Sequence, residues 1–267
     1  MYCFNCGVKE GYDYIYPIDQ SLQETWELNT SLTGIFNIRE GSICRGCGVN
    51  ARAQGLAKAI VRSKFGYGAA NLQEWVRSAN ENKLKVCELN SCHNLHKTLS
   101  GLKNLTYSEY GTSSEEDIEN LSYAKNSFDI VLHSETLEHV SDPSQAMKEC
   151  RRVINSDGVV LLTIPIIWNR KTRQRAKIEE GRIVKLLPAS HHGYKTDDYL
   201  VYFEYGQDID KKIGVNVVLS DWKRQNYVFS SSKEPSKISR ISKYKFCKLE
   251  NIALAIIRSR TWAKKLN

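Results

Sequence analysis

The stretch NSFDIVLHSETLEHVSDPSQAMKECRRVINSDGVVLLTIP, residues 126–165, decides the fold. Residues 128–133 (FDIVLH) are an apolar run of strand length, and residues 159–164 (VVLLTI) carry no charge. A helix is expected between them, from about Pro143 to Ile154. Apolar strands separated by helical stretches suggest a parallel sheet covered on both faces. Upstream, residues 84–89 (LKVCEL) and 105–110 (LTYSEY) read as two further strands. Residues 51–65 and 71–78 read as helices. Downstream, a polar basic excursion (WNRKTRQRAKIEEGR) follows Pro165. A short helix over 208–213 leads to two late strands, 215–220 and 227–231, which the turn SDWKRQN closes as an antiparallel pair.

The chain has 267 residues, 41% hydrophobic and 25% charged, which is the composition of a globular protein with one large domain or two unequal ones. A mean hydropathy of −0.45 and the absence of a long uncharged apolar run argue against a transmembrane segment. The opening MYCFNCGVKE has neither the basic nor the apolar part of a secretory signal, so a cytoplasmic protein with reduced thiols is expected. The net charge of +8 is uneven. Residues 221–267 hold twelve Lys/Arg and three Asp/Glu, and residues 1–220 carry a net −1.

Eight cysteines in a reducing compartment point to metal ligation or core packing before disulfides. Cys3-x-x-Cys6 and Cys44-x-x-Cys47 are each followed by a glycine, Gly7 and Gly48. Two such knuckles bring four thiolates into a tetrahedron suited to Zn²⁺. With all four positions filled by sulfur the site is structural. The long gap between the pairs leaves room for a β-hairpin or an extra strand. Cys87, Cys92, Cys150 and Cys247 read as small hydrophobes of the core.

The order of pieces in residues 126–165 resembles class I S-adenosylmethionine-dependent methyltransferases: Phe128-Asp129, a buried strand, Leu137-Glu138-His139-Val140, Asp142-Pro143, Arg152-Val153-Ile154, Gly158, and a strand ending at Pro165. More narrowly, the chain resembles bacterial methyltransferases with an N-terminal four-cysteine zinc module, whose genes often accompany surface-polysaccharide genes. That likeness includes Cys44-Arg45-Gly46-Cys47 with Arg52, Tyr107-Ser108-Glu109-Tyr110, Glu116-Asp117-Ile118, Leu187-Pro188 with His192-Gly193, and YFEYGQD at 202–208. The resemblance implies an α/β, Rossmann-like methyltransferase fold, with a seven-stranded mostly parallel sheet and a late antiparallel strand. It divides the chain into a zinc ribbon (1–50), a helical connector (51–80), a methyltransferase domain (81–232) and a basic tail (233–267).

It also implies a cofactor site. In an open parallel sheet, ligands sit beyond the carboxyl ends of the strands. Those ends carry Glu88, Glu109 and His133. The resemblance puts Glu109 on the ribose hydroxyls of S-adenosylmethionine, Asp117 on the adenine amino group and Ile118 against the adenine face. The family's glycine-rich loop is here Glu88-Leu89-Asn90-Ser91-Cys92-His93-Asn94, without a glycine. Asn90 adopts the left-handed conformation more readily than most residues, and with Asn94 it is expected at the cofactor.

Methyl transfer needs an aligned acceptor and, for a hydroxyl or amine, a base. Glu135 and His139 after the fourth strand, and His192 in the excursion, are the candidates. On a helix, Glu135, Glu138 and His139 share one face and can hold a divalent cation, a pattern that resembles the metal-binding stretch of quinone-biosynthesis O-methyltransferases. The competing reading is that Glu138 and His139 cap and pack a helix start. The basic tail, with an apolar helix candidate at 249–257, suits a packed terminal helix, RNA phosphates, or peripheral contact with an anionic membrane. The function expected is methyl transfer to a hydroxyl or amine of a sugar, glycan or related small molecule in surface-polysaccharide biosynthesis. The alternatives are an rRNA or tRNA methyltransferase and a non-catalytic scaffold on the same fold.

Overall fold

The computed structural model describes residues 2–9, 11–191, 199–214, 216–221 and 226–231. His192, Cys247 and the basic tail lie outside the described residues. In chain order the elements before the sheet are β1 (Tyr12–Tyr14), α1 (Gln20–Thr25), α2 (Thr30–Gly41), β2 (Ser42–Cys44), α3 (Ala51–Arg62) and α4 (Leu72–Glu81). Then come β3 (Val86–Leu89), α5 (His96–Leu99), β4 (Leu105–Ser108), β5 (Phe128–Ser134), α6 (Pro143–Val153) and β6 (Ile154–Thr163). The excursion supplies β7 (Arg173–Gln174), β8 (Ala176–Glu179), β9 (Arg182–Lys185) and β10 (Phe203–Glu204), and α7 (Ile209–Ile213), β11 (Asn216–Asp221) and β12 (Asn226–Ser231) complete the order.

The main sheet has the order β11-β12-β6-β5-β3-β4. β4, β3, β5 and β6 are parallel, while β12 is antiparallel to β6 and β11 antiparallel to β12. Among the described residues it has six strands, one fewer than expected. The segment between β4 and β5 (EYGTSSEEDIENLSYAKNS) has no apolar run for another strand; it buries only Ile118 and Leu121 deeply.

Side-chain alternation along β5 places Ile130 and Leu132 on one face and Val131 on the other. The first face packs on Leu56 and Ile60 of α3, Trp75 of α4, and Leu95. The second packs on α6 through Ala146, Met147, Cys150 and Val153, a stripe at helical spacing. Asp142 caps α6 by accepting from the Gln145 N–H, and Pro143 fills the first helical position. None of the described helices is long and apolar enough to cross a membrane.

The gap between the cysteine pairs holds the extra strand for which room was expected, β1 against β2, and two helices besides. Asp19 caps α1 through the Leu22 N–H, and Asn29 caps α2 through the Leu32 N–H. Only β1 and β2 pair as strands there. Cys3, Cys44 and Val49 belong to the same core as α3, α4, β3 and β5. The N-terminal module and the sheet therefore lie within one compact unit, Met1–Pro235.

In the excursion, β8 and β9 form a hairpin whose turn residues Glu180 and Gly181 both have positive φ, 51° and 72°. The excursion is bound to the α1 region. Trp26 Nε1 donates to Ser190 Oγ at 2.7 Å, and Arg175 reaches the Thr25 carbonyl and Glu204.

Candidate active site at the strand ends

The four cysteines form a repeated local structure. The Gly7 N–H donates to the Cys3 carbonyl, and the Gly48 N–H to the Cys44 carbonyl. The Cys3 N–H donates to Val8 and the Cys44 N–H to Val49. Gly7 and Gly48 have φ of 79° and 71°, which a β-carbon would strain. Cys3 Sγ lies 3.6 Å from Cys47 Sγ, and Cys6 Sγ 3.8 Å from Cys44 Sγ. All four sulfurs lie within 4.8 Å of one another. Sulfurs at ~2.3 Å around a tetrahedral Zn²⁺ would be ~3.8 Å apart, so the donor set fits. The contact with Cys3 pulls the Cys47 thiol down to about 5, while the same contact and burial push Cys3 up. Four thiolates this close need a cation to coexist.

The second site lies where the chain leaves β3 toward β4 on one side while β5 lies on the other, the crevice in which open sheets bind ligands. Glu88 ends β3 fully buried. Its Oε1 accepts from the Cys92 N–H at 2.9 Å, and its Oε2 lies 2.7 Å from His96 Nδ1. Burial pushes its carboxyl above the ordinary range. Both carboxylate oxygens of Glu88 thus engage its own loop and α5.

Asn90 has φ 60°. Its Oδ1 accepts from the Tyr110 N–H and its N–H donates to the Ser108 carbonyl, both at 2.8 Å, tying the loops after β3 and β4 together. His93 also has positive φ, 57°, and burial lowers its pKa. Asn94 donates to the Gly48 carbonyl at 2.7 Å, so its amide joins the loop to the second knuckle. Glu109 is half-buried, and its carboxylate has no hydrogen bond among the described residues. Asp117 is exposed and accepts from the Glu119 N–H; Ile118 is buried beside it.

At the end of β5, His133 is fully buried, and neither ring nitrogen has a partner among the described residues. Burial pulls it down to about 4, so the ring is neutral. Ser134 bonds Thr163 across the strands at 2.6 Å. Glu135 has φ 52°, a strained backbone for glutamate of the kind that collects at functional sites. Its carboxylate is held by Arg39, Nη1 to Oε2 at 2.9 Å and Nη2 to Oε1 at 2.6 Å. Arg39 also meets Glu40.

Glu135, Glu138 and His139 do not converge. Leu137–His139 is a 3₁₀ turn, so the shared helical face does not form. Glu138 is fully buried, and His139 Nδ1 donates to the Leu200 carbonyl at 3.0 Å. Among the described residues the four cysteines are the only set of three or more His/Cys/Asp/Glu side chains with ligand atoms all within 4.8 Å of one another. The expected divalent-cation site is corrected accordingly.

Over Glu135 opens a cavity of about 600 Å³. Its lining includes the charged Arg39, Glu40, Arg52 and Glu135, the aromatic Trp26 and Phe36, and Ser190 and His191 of the excursion. His191, next to the predicted His192, is thus the excursion histidine placed at the cavity. The sequence reading gave no role to Arg39, Glu40 or Ser190. The signal for the first two was the Asn29 cap followed by Leu32, Phe36 and Arg39 at helical spacing.

Residues 63–162 match the family described as a methyltransferase domain. A ubiquinone biosynthesis O-methyltransferase of Pseudomonas fluorescens (strain SBW25) is 40% identical over 68 residues, 26% of this chain and 29% of the relative. One of Caulobacter sp. (strain K31) is 26% identical over 121 residues, 40% of this chain and 47% of the relative. The chain thus spans between 29% and 47% of the length of these curated relatives. Among solved structures, an S-adenosylmethionine-dependent methyltransferase from Clostridium acetobutylicum superposes with TM-score 0.35 and 12% identity, over 58% of this chain and 87% of that one. The 1,6-didemethyltoxoflavin-N1-methyltransferase of Burkholderia thailandensis gives 0.37 and 9%, over 67% and 85%. The sheet order and the matched segment together make this a Rossmann-like methyltransferase fold.

Proposed function

We propose that this chain, which carries a class I methyltransferase domain over residues 63–162, transfers the methyl group of S-adenosylmethionine to a hydroxyl or amine of a small ring-bearing acceptor, a sugar or glycan unit first. The observation that carries the reading is the cavity over Glu135, at the carboxyl edge of a sheet whose middle matches that domain. When bound, S-adenosylmethionine supplies an electrophilic methyl on a sulfonium. Glu109, its carboxylate open at the end of β4, is suited to a ribose diol, because a carboxylate accepts two hydrogen bonds. Asp117 and Ile118 follow on the same side. Fitting an acceptor into the cavity aligns it for in-line attack. In this reading Glu135 or His191, both of which line the cavity, takes the acceptor's proton. As the acceptor oxygen or nitrogen bonds to carbon, the carbon–sulfur bond breaks and S-adenosylhomocysteine leaves.

The apolar wall and the charge-paired floor suit a neutral acceptor with one apolar face and several hydroxyls. The likeness to ubiquinone biosynthesis O-methyltransferases favours a second reading, methyl transfer to an oxygen of an acceptor in ubiquinone biosynthesis. The four cysteines hold a structural Zn²⁺ in this proposal, with no ligand position left for water. The test is transfer of labelled methyl from S-adenosylmethionine to a panel of nucleotide sugars, lipid-linked sugars and catechols. Transfer to a sugar supports the first reading and transfer to a catechol the second. Folded protein that binds neither S-adenosylmethionine nor S-adenosylhomocysteine would overturn both and leave the scaffold alternative.

A further inference from the structure

The loop after β3 takes left-handed turns without a glycine. Asn90 and His93 have φ of 60° and 57°, a conformation that costs a residue with a β-carbon free energy that glycine is spared. Residues 88–94 hold no glycine, so bonds made by the loop have to offset that cost. Glu88 accepts from the Cys92 N–H inside the loop. Asn90 ties the loop to the end of β4 through the Ser108 carbonyl and the Tyr110 N–H. A further tie leaves the sheet altogether: Asn94 Nδ2 donates to the Gly48 carbonyl at 2.7 Å.

Gly48 directly follows Cys47 and closes the second knuckle. A β-carbon there would stand 3.0 Å from Asn94 Nδ2, so the glycine lets the amide come close to the carbonyl. The first knuckle is engaged in the same way. The carbonyls of Phe4 and Asn5, between Cys3 and Cys6, accept from the Leu72 N–H at 2.8 Å and the Gln73 N–H at 3.2 Å. These N–H groups open α4, and a helix offers no internal partner to its first N–H groups. Three donors from the matched residues 63–162 therefore end on knuckle carbonyls. Apolar packing runs along the same line, since Cys92 and Leu95 of the loop share a core with Cys44 and Val49.

The direction of each knuckle carbonyl is set by its turn, and the two turns close on the four sulfurs. A cation that gathers the sulfurs thereby also fixes the Gly48 carbonyl against Asn94.

We propose that Asn94 is a positioning residue through which the four-cysteine module, once it holds Zn²⁺, keeps the loop after β3 in its donor-binding shape. Metal occupancy and donor affinity are then coupled across the Gly48–Asn94 bond. The coupling is reciprocal: the factor by which Zn²⁺ tightens the donor is the factor by which the donor tightens Zn²⁺. The inference rests on the S-adenosylmethionine reading and on Zn²⁺ in the module.

The test measures both affinities on the full chain, by calorimetry with S-adenosylhomocysteine and by competition for Zn²⁺ with a chromophoric chelator, with and without S-adenosylhomocysteine. In the wild type, S-adenosylhomocysteine is expected to tighten Zn²⁺ about tenfold, the weight of one shielded hydrogen bond. Asn94→Leu has a similar shape and no donor. It is expected to keep its Zn²⁺, to bind S-adenosylhomocysteine about tenfold more weakly, and to show coupling below about threefold. Asn94→Gln keeps the amide and should recover part of both effects. Equal coupling in the wild type and Asn94→Leu, or none in the wild type, would overturn the proposal and leave the donor reading standing. A zinc-loaded chain that binds no S-adenosylhomocysteine overturns the donor reading, a chain that binds no Zn²⁺ overturns the metal premise, and the inference falls with either. Should Asn94→Leu fail to fold, hydrogen exchange on the wild type decides. Protection gained at residues 44–50 when S-adenosylhomocysteine binds supports the link, and protection gained only at residues 88–96 overturns it.

Discussion

The cysteine knuckles and the strand-end crevice are built by opposite means. Each knuckle is a five-residue unit with its own hydrogen bonds, repeated almost bond for bond at Cys3–Gly7 and Cys44–Gly48. The crevice repeats nothing. Arg39, Arg52, Glu88, Glu109 and Glu135 come from five elements or their ends, spread over nearly a hundred residues of chain. A metal set of this kind is defined by spacing, so it survives translation into a one-dimensional pattern. A ligand crevice is defined by which strand lies next to which.

The comparison is sharpened first by removing the module's centre. If the four cysteines hold the Zn²⁺ proposed above, Cys44→Ser or chelation is expected to unfold the module, since a structural Zn²⁺ contributes on the order of 10 kcal/mol. Hydrogen exchange should then show lost protection through α3, because Cys44 and Val49 share a core with Leu56 and Ile60. Loss confined to residues 2–9 and 42–49 would break the link between module and crevice. Arg39→Met comes next. It removes the two bonds to Glu135 from a nearly buried pair and should cost about 3 kcal/mol in urea unfolding. Adding Glu135→Leu should recover at least half of that loss, because a buried pair replaced as a unit leaves no uncompensated charge.

His133 gives an effect of similar size with a defined pH window. Its folded pKa of about 4 lies below the ~6.5 of a free imidazole, so the unfolded chain takes up the proton first. The stability conferred by the neutral ring is complete above pH ~6.5, falls as pH drops toward about 4, and levels off below. The swing is ~3 kcal/mol. His133→Phe should flatten that part of the stability profile, and an equally steep profile would contradict the burial argument. The smallest effect is at the open side of the crevice. Glu109→Gln should weaken S-adenosylhomocysteine about tenfold, the loss of one charge-assisted contact, and Asp117→Asn, at an exposed position, by less. Calorimetry of the two variants separates a donor-binding acid from a solvated one.

Much of the fold was legible because its signals are local. The apolar runs in β5 and β6 formed a parallel pair, and the left-handed conformation expected of Asn90 is present at φ 60°. The helices α1 and α2 were hidden. Their caps, Asp19 and Asn29, resemble loop residues, and Gly34 interrupts the helical composition. The shared face expected of Glu135, Glu138 and His139 failed because a 3₁₀ turn follows β5, and helical spacing does not apply there. Glu88 stood at the right strand end, yet its side chain went to Cys92 and His96. That choice depends on α5 lying beneath it.

The sequence by itself determined the apolar strand runs, the two knuckles and the uneven charge, since each is read along the chain without knowing what packs on what. Tertiary structure alone decided that Arg39 meets Glu135, that Arg52 meets Ser134 across 82 positions, and that Trp26 meets Ser190 across 164. Those pairs exist because the N-terminal helices and the excursion are both packed against the end of the same sheet. No local pattern encodes that packing. It comes from burying α3 and Trp75 on one face of β3 and β5, which carries Arg52 to the strand ends, and from packing Leu32 and Phe36 of α2 on Trp26 and Ile167, which brings Arg39 there.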